Sequence, residues 1–346
     1  MKKFLFITDA ISSLVEYKDT SVLMMQTAFE NNISIYVCEI KDLFYSDNVV
    51  STVCSKVNDP FNSITDMEET VALQLIYFDK VFMRKDPPVD ENYMNALYLL
   101  EVASSMGANI MNEPKALQTF NEKVLALRFA KFMTETLITN QALTLKEFHA
   151  KHHEIILKPL NGMGGQSVYK FHEITSNELE VFDGLTQNNR QVMLQKFIPE
   201  IIEGDYRILI INGQPFHKTL ARIPQDGSFL GNLAAGGKGE CRSLTEHQRI
   251  MSEEIGSFLV KNKIFFAGID VIGSYLTEIN ITSPTGAREI FEQSGENHFR
   301  LKSFYGDDEK ELLSNLADLL TEKFNTTNHY LCAHNGKEFD YPFLCR

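Results

Sequence analysis

Short apolar runs alternate with amphipathic stretches along the first 110 residues of the chain. The apolar runs cover residues 4–7, 33–37 and 80–83, and runs of this length are typical of buried strands. Strands that alternate with helices favour a mainly parallel sheet covered by helices. The pattern therefore predicts an α/β domain in the first part of the chain.

Two of the amphipathic stretches begin with a residue that can cap a helix. Ser21 precedes apolar residues near helical spacing, at Val22, Met25 and Phe29, and Asp90 precedes a similar stretch. Serine and aspartate side chains accept hydrogen bonds from the free N–H groups of a first helical turn. We therefore expect one helix with Ser21 as its cap and another that Asp90 opens.

Strand signals dominate from residue 154 onward. The pair Asn212-Gly213 suits a type I′ turn, so the flanking runs 206–211 and 214–221 predict a hairpin. Antiparallel structure therefore enters in the second half of the chain. Further strand-like runs cover residues 154–158, 168–169 and 192–197.

The pattern changes near residue 120, which indicates a boundary. Pro114 suits a first helical position after a strand, and residues 121–132 have helical spacing. We expect an N-terminal domain over 1–120, a lid-like subdomain over 121–197, a third lobe over 198–324 and a turn-rich tail over 325–346.

The composition is that of a folded protein with a negative net charge. Hydrophobic residues make up 44% of the 346 residues, and charged residues make up 23%. Lysine and arginine total 33 against 46 aspartates and glutamates, which gives a net charge of −13 and disfavours an extended nucleic-acid surface. No apolar run approaches the about 18 residues that a membrane helix needs, and residues 4–7 are too short for the core of a signal peptide. We therefore expect a soluble cytoplasmic protein that binds neither nucleic acid nor membrane.

The cysteines and histidines give no clear disulfide or metal pattern. The five cysteines form no C-x-x-C pair, so a disulfide framework is not expected. His329, Cys332, His334 and Cys345 are of types that suit zinc, but their spacing matches no tight ligand pattern. We interpret them as part of a packed or frayed tail.

A lysine and a glycine-rich loop follow one another in residues 155–168. A strand-like run delivers Lys158, and the loop then brings Gly162, Gly164 and Gly165 before the next run. Glycines let backbone N–H groups approach an anion, and lysine supplies a compact positive charge. The segment matches neither the P-loop pattern nor a dinucleotide fingerprint. It favours a phosphate-binding loop, with an ordinary glycine-rich hairpin turn as the alternative.

Two apolar runs joined at Gly273 carry oxygen-bearing side chains. Asp270 lies on the first run, and Glu278 and Asn280 lie on the second. Because residues two apart on a strand share a face, Glu278 and Asn280 point to the same side, which Asp270 can reach from the antiparallel neighbour. Carboxylate and amide oxygens suit Mg²⁺. The segment favours a magnesium site, with the solvated face of an amphipathic hairpin as the alternative.

A long glycine-rich loop separates this hairpin from the preceding strands. Residues 223–239 contain five glycines and have little periodicity. Loops of this length inside compact domains are usually lids or disordered linkers. Arg207 and Arg222 lie at the ends of neighbouring strand-like runs, where either can bind a carboxylate or phosphate in a bidentate manner. We expect a lid, with a plain flexible connector as the alternative.

Taken together, these segments resemble the bacterial glutathione synthetases, which are ATP-grasp carboxylate–amine ligases. The similarity runs from residue 1 to about residue 292 without a large gap, and the order and spacing of the motifs are specific. The motifs that carry it cover residues 83–88, 121–123, 155–165, 220–224, 231–239 and 277–285.

The resemblance implies a role for each matching residue. It implies ATP contacts from Lys123, Lys158, Gly162, Met163, Gly164, Gly165, Gln195, Lys196, Phe197, Ile198 and Asp205. It implies that Arg207, Arg222 and Asn232 serve the reacting phosphate and acyl groups. It implies substrate contacts from Lys18, Asp19, Ser21, Arg84, Ser283 and Thr285, and Mg²⁺ ligands, with Mn²⁺ as a substitute, at Asp270, Glu278 and Asn280.

The resemblance also implies a fold and a reaction. The fold is an N-terminal, mainly parallel α/β domain followed by a two-lobed ATP-grasp fold with an antiparallel sheet. ATP phosphorylates the cysteinyl carboxylate of γ-glutamylcysteine, and glycine attacks the acyl phosphate to give glutathione, ADP and phosphate. An acyl phosphate hydrolyses in open water, so the reaction needs a closing lid. The family forms tetramers or dimers, so we expect a homo-oligomer.

Two other functions fit parts of the pattern. An ATP-grasp ligase that joins another carboxylate and amine, such as D-alanine or a terminal glutamate, is the nearer alternative. A non-catalytic ATP-binding module is the more distant one. The presence of Lys123, Lys158, Asp270, Glu278 and Asn280 argues against this module, because catalysis needs the complete set.

Overall fold

The computed structural model describes residues 2–162, 164–233 and 236–299, which contain three β-sheets. The tail expected over 325–346, with its cysteines and histidines, lies outside the described residues. Among the described residues, no helix is long and apolar enough to cross a membrane. Short 3₁₀ turns cover Ile11–Ser13, Ile40–Asp42, Leu75–Tyr77, Leu127–Phe132, Gln187–Asn189 and Pro199–Glu203.

The first sheet has a parallel centre with antiparallel strands added at one side. The strand order is β3-β4-β2-β1-β7-β8, and β5 and β6 also pair with β4. The pairs β1–β2, β1–β7 and β7–β8 are parallel. Strand β4 is antiparallel to each of its partners, which are β2, β3, β5 and β6. The strands are β1 (Lys3–Thr8), β2 (Ser34–Glu39), β3 (Leu43–Ser46), β4 (Val49–Asp59), β5 (Ser63–Met67), β6 (Val71–Gln74), β7 (Lys80–Met83) and β8 (Ile110–Met111).

Helices cover both faces of the parallel centre. They are α1 (Thr20–Glu30), α2 (Glu91–Ser105) and α3 (Pro114–Thr119). Alternate residues of β1 point to opposite faces, so Leu5 packs in one core cluster with Leu97 of α2, and Phe6 packs in another with Met25 of α1. The predicted α/β arrangement is confirmed.

The helix starts differ in how well the sequence predicts them. The side chain of Asp90 caps α2 and accepts a hydrogen bond from the Tyr93 N–H at 2.9 Å, as expected. The cap predicted at Ser21 is wrong, because α1 begins at Thr20 after Asp19. Ser21 is buried in the first turn instead, where its hydroxyl accepts a hydrogen bond from Arg84.

The second sheet is a four-stranded antiparallel sheet with the order β11-β10-β12-β9. Its strands are β9 (Thr136–Thr139), β10 (Ile155–Pro159), β11 (Tyr169–Phe171) and β12 (Val192–Lys196), and α5 (Ala142–His152) and α6 (Ser176–Thr186) belong to it. Leu145, Leu157 and Phe182 form its core with their neighbours. Before this sheet, the helix expected over 121–132 is only partly present, since α4 (Glu122–Ala126) gives way to a 3₁₀ turn that is broken at Phe129.

The third sheet is a five-stranded antiparallel sheet with the order β15-β14-β13-β16-β17. Its strands are β13 (Asp205–Ile211), β14 (Gln214–Ile223), β15 (Lys238–Ser243), β16 (Phe266–Ile272) and β17 (Tyr275–Asn280), accompanied by α7 (Glu246–Lys261) and α8 (Ala287–Ser294). Asn212 and Gly213 both have positive φ, at 49° and 78°, as a type I′ turn requires. The predicted hairpin is therefore confirmed.

Candidate active site

A cleft of about 440 Å³ brings together residues of the second and third sheets and of loops that adjoin the first sheet. Twenty of the residues singled out in the sequence line it, although they come from positions spread over most of the described chain. They are Lys18, Asp19, Lys123, Lys158, Gly162, Gly164, Gly165, Gln195, Lys196, Phe197, Ile198, Asp205, Arg207, Arg222, Asn232, Asp270, Glu278, Asn280, Ser283 and Thr285.

The register of the third sheet places charged residues side by side on the floor of this cleft. Asp205 pairs with Arg222 across β13 and β14, and Arg207 pairs with Asp270 across β13 and β16. Asp270 in turn faces Glu278 across β16 and β17. Residues directly opposite each other in an antiparallel sheet share a face, so these side chains form one polar surface.

The floor charges are buried and paired. Arg207 holds both oxygens of Asp270, with Nη2 to Oδ2 at 3.0 Å, and Arg222 Nη2 reaches Asp270 Oδ1 at 3.0 Å and Asp205 Oδ2 at 2.6 Å. All four residues are at most 8% exposed. Burial alone would raise the pKa of Asp270, but the two guanidinium groups outweigh it and hold that pKa well below its ordinary value. Asp270 is therefore an anion held between two cations.

Two lysines lie between the floor and the glycine-rich loop. Lys123 Nζ donates to the carbonyl oxygen of Gly162 at 2.6 Å and pairs with Glu278 Oε1 at 2.9 Å. Lys158 Nζ donates to the carbonyl oxygen of Thr277 at 3.2 Å, and burial lowers its pKa to about 8. Lys123 thus links the glycine-rich loop to the strand that carries Glu278, and both ammonium groups lie where an anion entering the cleft would meet them.

Two glycine-rich segments meet over the cleft. Gly165 has a φ of +79°, and a Cβ built on it would lie 2.9 Å from Oδ1 of Asn232 in the long loop. A Cβ on Gly231 would lie 2.3 Å from the carbonyl oxygen of Arg222. A side chain at Gly165 would push the first loop away from the long loop, and one at Gly231 would push the long loop away from the end of β14, which explains the need for glycine at both positions. Met163 lies outside the described residues.

The oxygen-bearing residues of β16 and β17 lie together. Asn280 Nδ2 donates to Asp270 Oδ2 at 3.2 Å, and Glu278 lies opposite Asp270. Two carboxylates and an amide oxygen suit the hard-oxygen preference of Mg²⁺, so the donor chemistry fits this ion. Both oxygens of Asp270 are held by arginines, so a metal ion would compete with them. Among the described residues, no group of three or more His, Cys, Asp or Glu side chains is placed to hold a metal.

Ser21 and Arg84 lie behind the cleft wall and do not line it. Arg84 is 5% exposed; its Nε donates to Ser21 Oγ at 3.1 Å and its Nη2 donates to the carbonyl oxygen of Pro284 at 3.0 Å. The hydroxyl of Ser283 donates back to the carbonyl oxygen of Arg84 at 3.1 Å. Arg84 therefore supports the segment that carries Ser283 from the side of the first sheet.

Three carboxylates that the sequence analysis passed over also line the cleft. They are Asp86, Glu122 and Glu289, and burial raises the pKa of each one. Asp86 and Glu122 lie within motifs that were noted for other residues, and Glu122 directly precedes Lys123. Their side-chain surroundings depend on segments distant in sequence, so the residue type alone gave no signal.

Comparison with known proteins identifies one family for both parts of this chain. Residues 2–118 match the N-terminal domain model of prokaryotic glutathione synthetase, and residues 122–295 match the ATP-grasp domain model of the same family. The glutathione synthetase of Nitrosomonas europaea is 41% identical over 85% of this chain and 94% of its own length. That of Ralstonia nicotianae is 40% identical over 85% of this chain and 92% of its own length.

Solved structures show the same fold at much lower identity. The D-cycloserine synthetase DcsG has a TM-score of 0.60 and 16% identity, covering 82% of this chain and 92% of its own. A RiPP-associated ATP-grasp ligase of Chryseobacterium gregarium has a TM-score of 0.56 and 16% identity, covering 82% and 90% of the two chains. At this identity the likeness supports the ATP-grasp fold alone. The two family matches and the relatives near 40% identity carry the assignment: this chain belongs to the prokaryotic glutathione synthetase family.

Proposed function

We propose that this enzyme is an ATP-dependent ligase that joins γ-glutamylcysteine to glycine and releases glutathione, ADP and phosphate. The observation that carries the proposal is the cleft floor, where buried arginines and lysines face buried carboxylates in a chain of this family. The cysteinyl carboxylate takes the γ-phosphoryl group of ATP, and the glycine amine then displaces phosphate from the acyl phosphate. Such chemistry needs positioning and charge neutralisation, and it needs no nucleophile from the protein.

The cations of the cleft have a direct part in this reaction. We assign Lys123 and Lys158 to the phosphates of ATP, and Arg207, Arg222 and Asn232 to the transferred phosphate and the acyl oxygen. Their charges offset the negative charge of the phosphoryl group in the transition state. We assign the adenine to residues 195–198, at the end of β12 and just after it, and the ribose to Asp205.

Asp270, Glu278 and Asn280 would hold Mg²⁺, for which Mn²⁺ is a chemically reasonable substitute. When bound, the ion would add positive charge at the phosphate oxygens. Neighbouring side chains orient the two carboxylates, since Asp270 pairs with the two arginines and Glu278 pairs with Lys123.

The peptide and glycine lie at the other end of the cleft in this proposal. That end is lined by Lys18, Asp19, Ser283 and Thr285. Arg84, which is hydrogen-bonded to Ser21, supports it through the carbonyl oxygen of Pro284. Gly162–Gly165 and the long loop after Ile223 would cover the acyl phosphate and exclude water.

The wider organisation is part of the same proposal. We assign residues 1–120 to a substrate domain, 121–197 to the lid subdomain, 198–324 to the catalytic subdomain and 325–346 to a tail. The enzyme would act in the cytoplasm as a homo-oligomer, either a dimer or a tetramer. Size-exclusion chromatography with light scattering tests the oligomeric state.

A coupled assay tests the reaction. ADP release is measured with ATP, Mg²⁺ and γ-glutamylcysteine, with and without glycine, and the product is identified by mass. We expect glycine-dependent turnover that yields glutathione. Turnover with a different acid or amine would move the specificity to another ligase reaction, and tight ATP binding without turnover on any pair would indicate a non-catalytic ATP-binding module.

A further inference from the structure

Glu122 makes an unusual set of contacts at the start of α4. Its Oε1 accepts three hydrogen bonds, from the N–H of Ile281 at 2.7 Å, the N–H of Thr282 at 2.9 Å and the hydroxyl of Thr282 at 2.8 Å. All three donors belong to the segment that directly follows β17. A single carboxylate oxygen therefore fixes the path of the chain just after the candidate metal strand.

The neighbouring residue holds the other end of the same stretch. Lys123 pairs with Glu278 at 2.9 Å, whereas Glu122 holds Ile281 and Thr282. Two consecutive residues of α4 thus bind the two ends of the segment 278–282. The start of α4 therefore fixes the position of the end of β17 and of the residues that follow it.

The segment beyond this point is held from the opposite side by Arg84. Arg84 donates to the carbonyl oxygen of Pro284 and accepts a hydrogen bond from the hydroxyl of Ser283. Residues 281–284 are therefore held between α4 and the end of β7, and all four are buried. Thr285 follows directly and lines the cleft.

We infer that Glu122 is a positioning residue for amide-bond formation, which holds the segment 283–285 in register with the phosphate-binding floor. The inference rests on the proposed function, in which Ser283 and Thr285 contact the peptide and the incoming amine. Without the three hydrogen bonds, this segment loses its link to α4, and the amine is no longer aligned with the acyl phosphate. A misplacement of about 1 Å between reacting groups costs about 10²-fold in rate.

The position of Lys123, which we assign to the phosphates of ATP, does not depend on the side chain of Glu122. Asn121 caps α4, since its Oδ1 accepts hydrogen bonds from the N–H groups of Lys123 and Val124 at 3.1 Å. Lys123 therefore keeps its place when the side chain of Glu122 is shortened. Loss of Glu122 should thus spare ATP binding and phosphoryl transfer and impair the attack by the amine.

The test compares Glu122→Ala with Glu122→Gln. Each variant is assayed for ADP release and for glutathione formation, with separate titrations of ATP and glycine. We expect Glu122→Ala to release several ADP for each glutathione and to raise the KM for glycine about tenfold or more, with little change in the KM for ATP. The amide oxygen of glutamine can accept the same three hydrogen bonds, so Glu122→Gln should restore most of the coupling.

Two further variants provide a second test and a control. Thr282→Val removes one of the three donors without changing side-chain shape, so it should uncouple less than Glu122→Ala, and it replaces that variant if Glu122→Ala does not fold. Glu246→Ala is the matched control, because Glu246 is also a first-turn acid but lies exposed on α7 and pairs with Arg249. It should behave like the wild type.

The outcomes separate the inference from the proposed function. If the wild type forms glutathione with one ADP for each product and Glu122→Ala or Thr282→Val stays equally coupled, the inference is wrong and the function stands. If Glu122→Gln is as uncoupled as Glu122→Ala, a geometric role for the three hydrogen bonds is also contradicted. If the wild type forms no glutathione, the proposed function fails and the inference fails with it.

Discussion

The two ends of the five-stranded sheet treat buried titratable groups in opposite ways. At the cleft end, Arg207 and Asp270 are nearly inaccessible to water and form a close ion pair. At the other end of the same strands, His298 lies against the ring of Phe216 with the ring centroids 3.6 Å apart. Neither ring nitrogen of His298 has a hydrogen-bond partner among the described residues, and burial lowers its pKa to about 3.

The difference shows where this sheet retains charge. A buried ion is costly unless an opposite charge and hydrogen bonds compensate it, and a group without them is neutral instead. The cleft end keeps its charges because each has a partner on a neighbouring strand. Among the described residues, the end of the sheet near Phe216 offers no such partner to His298, and burial favours its neutral imidazole. The cleft end therefore buries ionised side chains at a desolvation cost that their partners offset.

The largest expected effect comes from removing one charge at the cleft end. Glu278→Gln keeps the shape of the side chain and removes an anionic oxygen from the candidate metal site. We expect turnover to fall by about 10²-fold or more, because preorganised charge acts on the charge that develops in the transition state. Steady-state ADP release at saturating Mg²⁺ measures it. Glu240→Gln, which changes a partly exposed acid on β15 away from the candidate metal residues, is the control. Unchanged turnover in Glu278→Gln would exclude Glu278 as an essential ligand.

The stability of the paired charges is the next test. Arg207→Met leaves Asp270 buried with only Arg222 as its cationic partner, and we expect a loss of about 3 kcal/mol in the free energy of unfolding. The double variant Arg207→Met/Asp270→Asn should lose less than the sum of the two single variants, because it leaves no uncompensated charge. Urea unfolding measures each value.

An exposed ion pair gives the matched comparison for this cycle. Lys131 and Glu254 lie 2.7 Å apart at the surface, with side chains 62% and 44% exposed. Breaking this pair should cost less than about 1 kcal/mol. If the two cycles gave equal coupling energies, the contrast between buried and exposed charge would not explain the stability of the cleft.

A smaller effect is expected from the cover of the cleft. Deletion of residues 227–238 should leave ATP binding in place and raise ATP hydrolysis that is not coupled to product, because water reaches the acyl phosphate. The ratio of ADP to glutathione measures this. Asn232→Ala separates the loss of one side chain from the loss of the loop. A deletion variant that stays fully coupled would show that the loop is not a lid.

At neutral pH, the smallest effect belongs to the end of the sheet where His298 packs against Phe216. The folded protein holds His298 neutral, whereas the unfolded chain protonates it below its ordinary pKa of 6.5. Unfolding therefore takes up a proton, and stability is lost as the pH falls from 6.5 towards 3, by at most about 1.4 kcal/mol per pH unit.

His298→Phe keeps the aromatic contact and removes this proton uptake. The free energy of unfolding of the variant should fall less steeply between pH 6.5 and pH 4 than that of the wild type, as measured by urea unfolding at a series of pH values. His172→Gln is the control, because His172 is 64% exposed at the surface. Parallel pH profiles for wild type and His298→Phe would contradict a neutral buried His298.

Local patterns were enough to predict a large part of the fold. The strands of the parallel centre, the cap at Asp90 and the hairpin at Asn212-Gly213 all depend on residues close together in sequence. The antiparallel strands between 43 and 74 were missed, although Asp47 and Asn48 both have positive φ in the turn that joins β3 to β4. Strands with many polar positions, such as these, give a weak periodic signal.

The candidate site was predictable as a set of residues and not as an arrangement. The spacing of Glu278 and Asn280 indicated one face of a strand, and Asp270 does lie opposite Glu278. The pairing of Arg207 with Asp270 depends on the register of two strands 63 residues apart, and the place of Arg84 depends on a contact with Pro284 200 residues away. Such long-range contacts leave no trace in local spacing.

One measurement tests the central claim most directly, namely that this cleft activates a carboxylate by phosphorylation before an amine attacks it. The enzyme is supplied with ATP, Mg²⁺, glycine and γ-glutamylcysteine labelled with oxygen-18 in its cysteinyl carboxylate, and the phosphate and glutathione are analysed by mass spectrometry. An acyl phosphate transfers one labelled oxygen to each phosphate released, and glutathione retains the other. Unlabelled phosphate, or the absence of glutathione, would contradict the account.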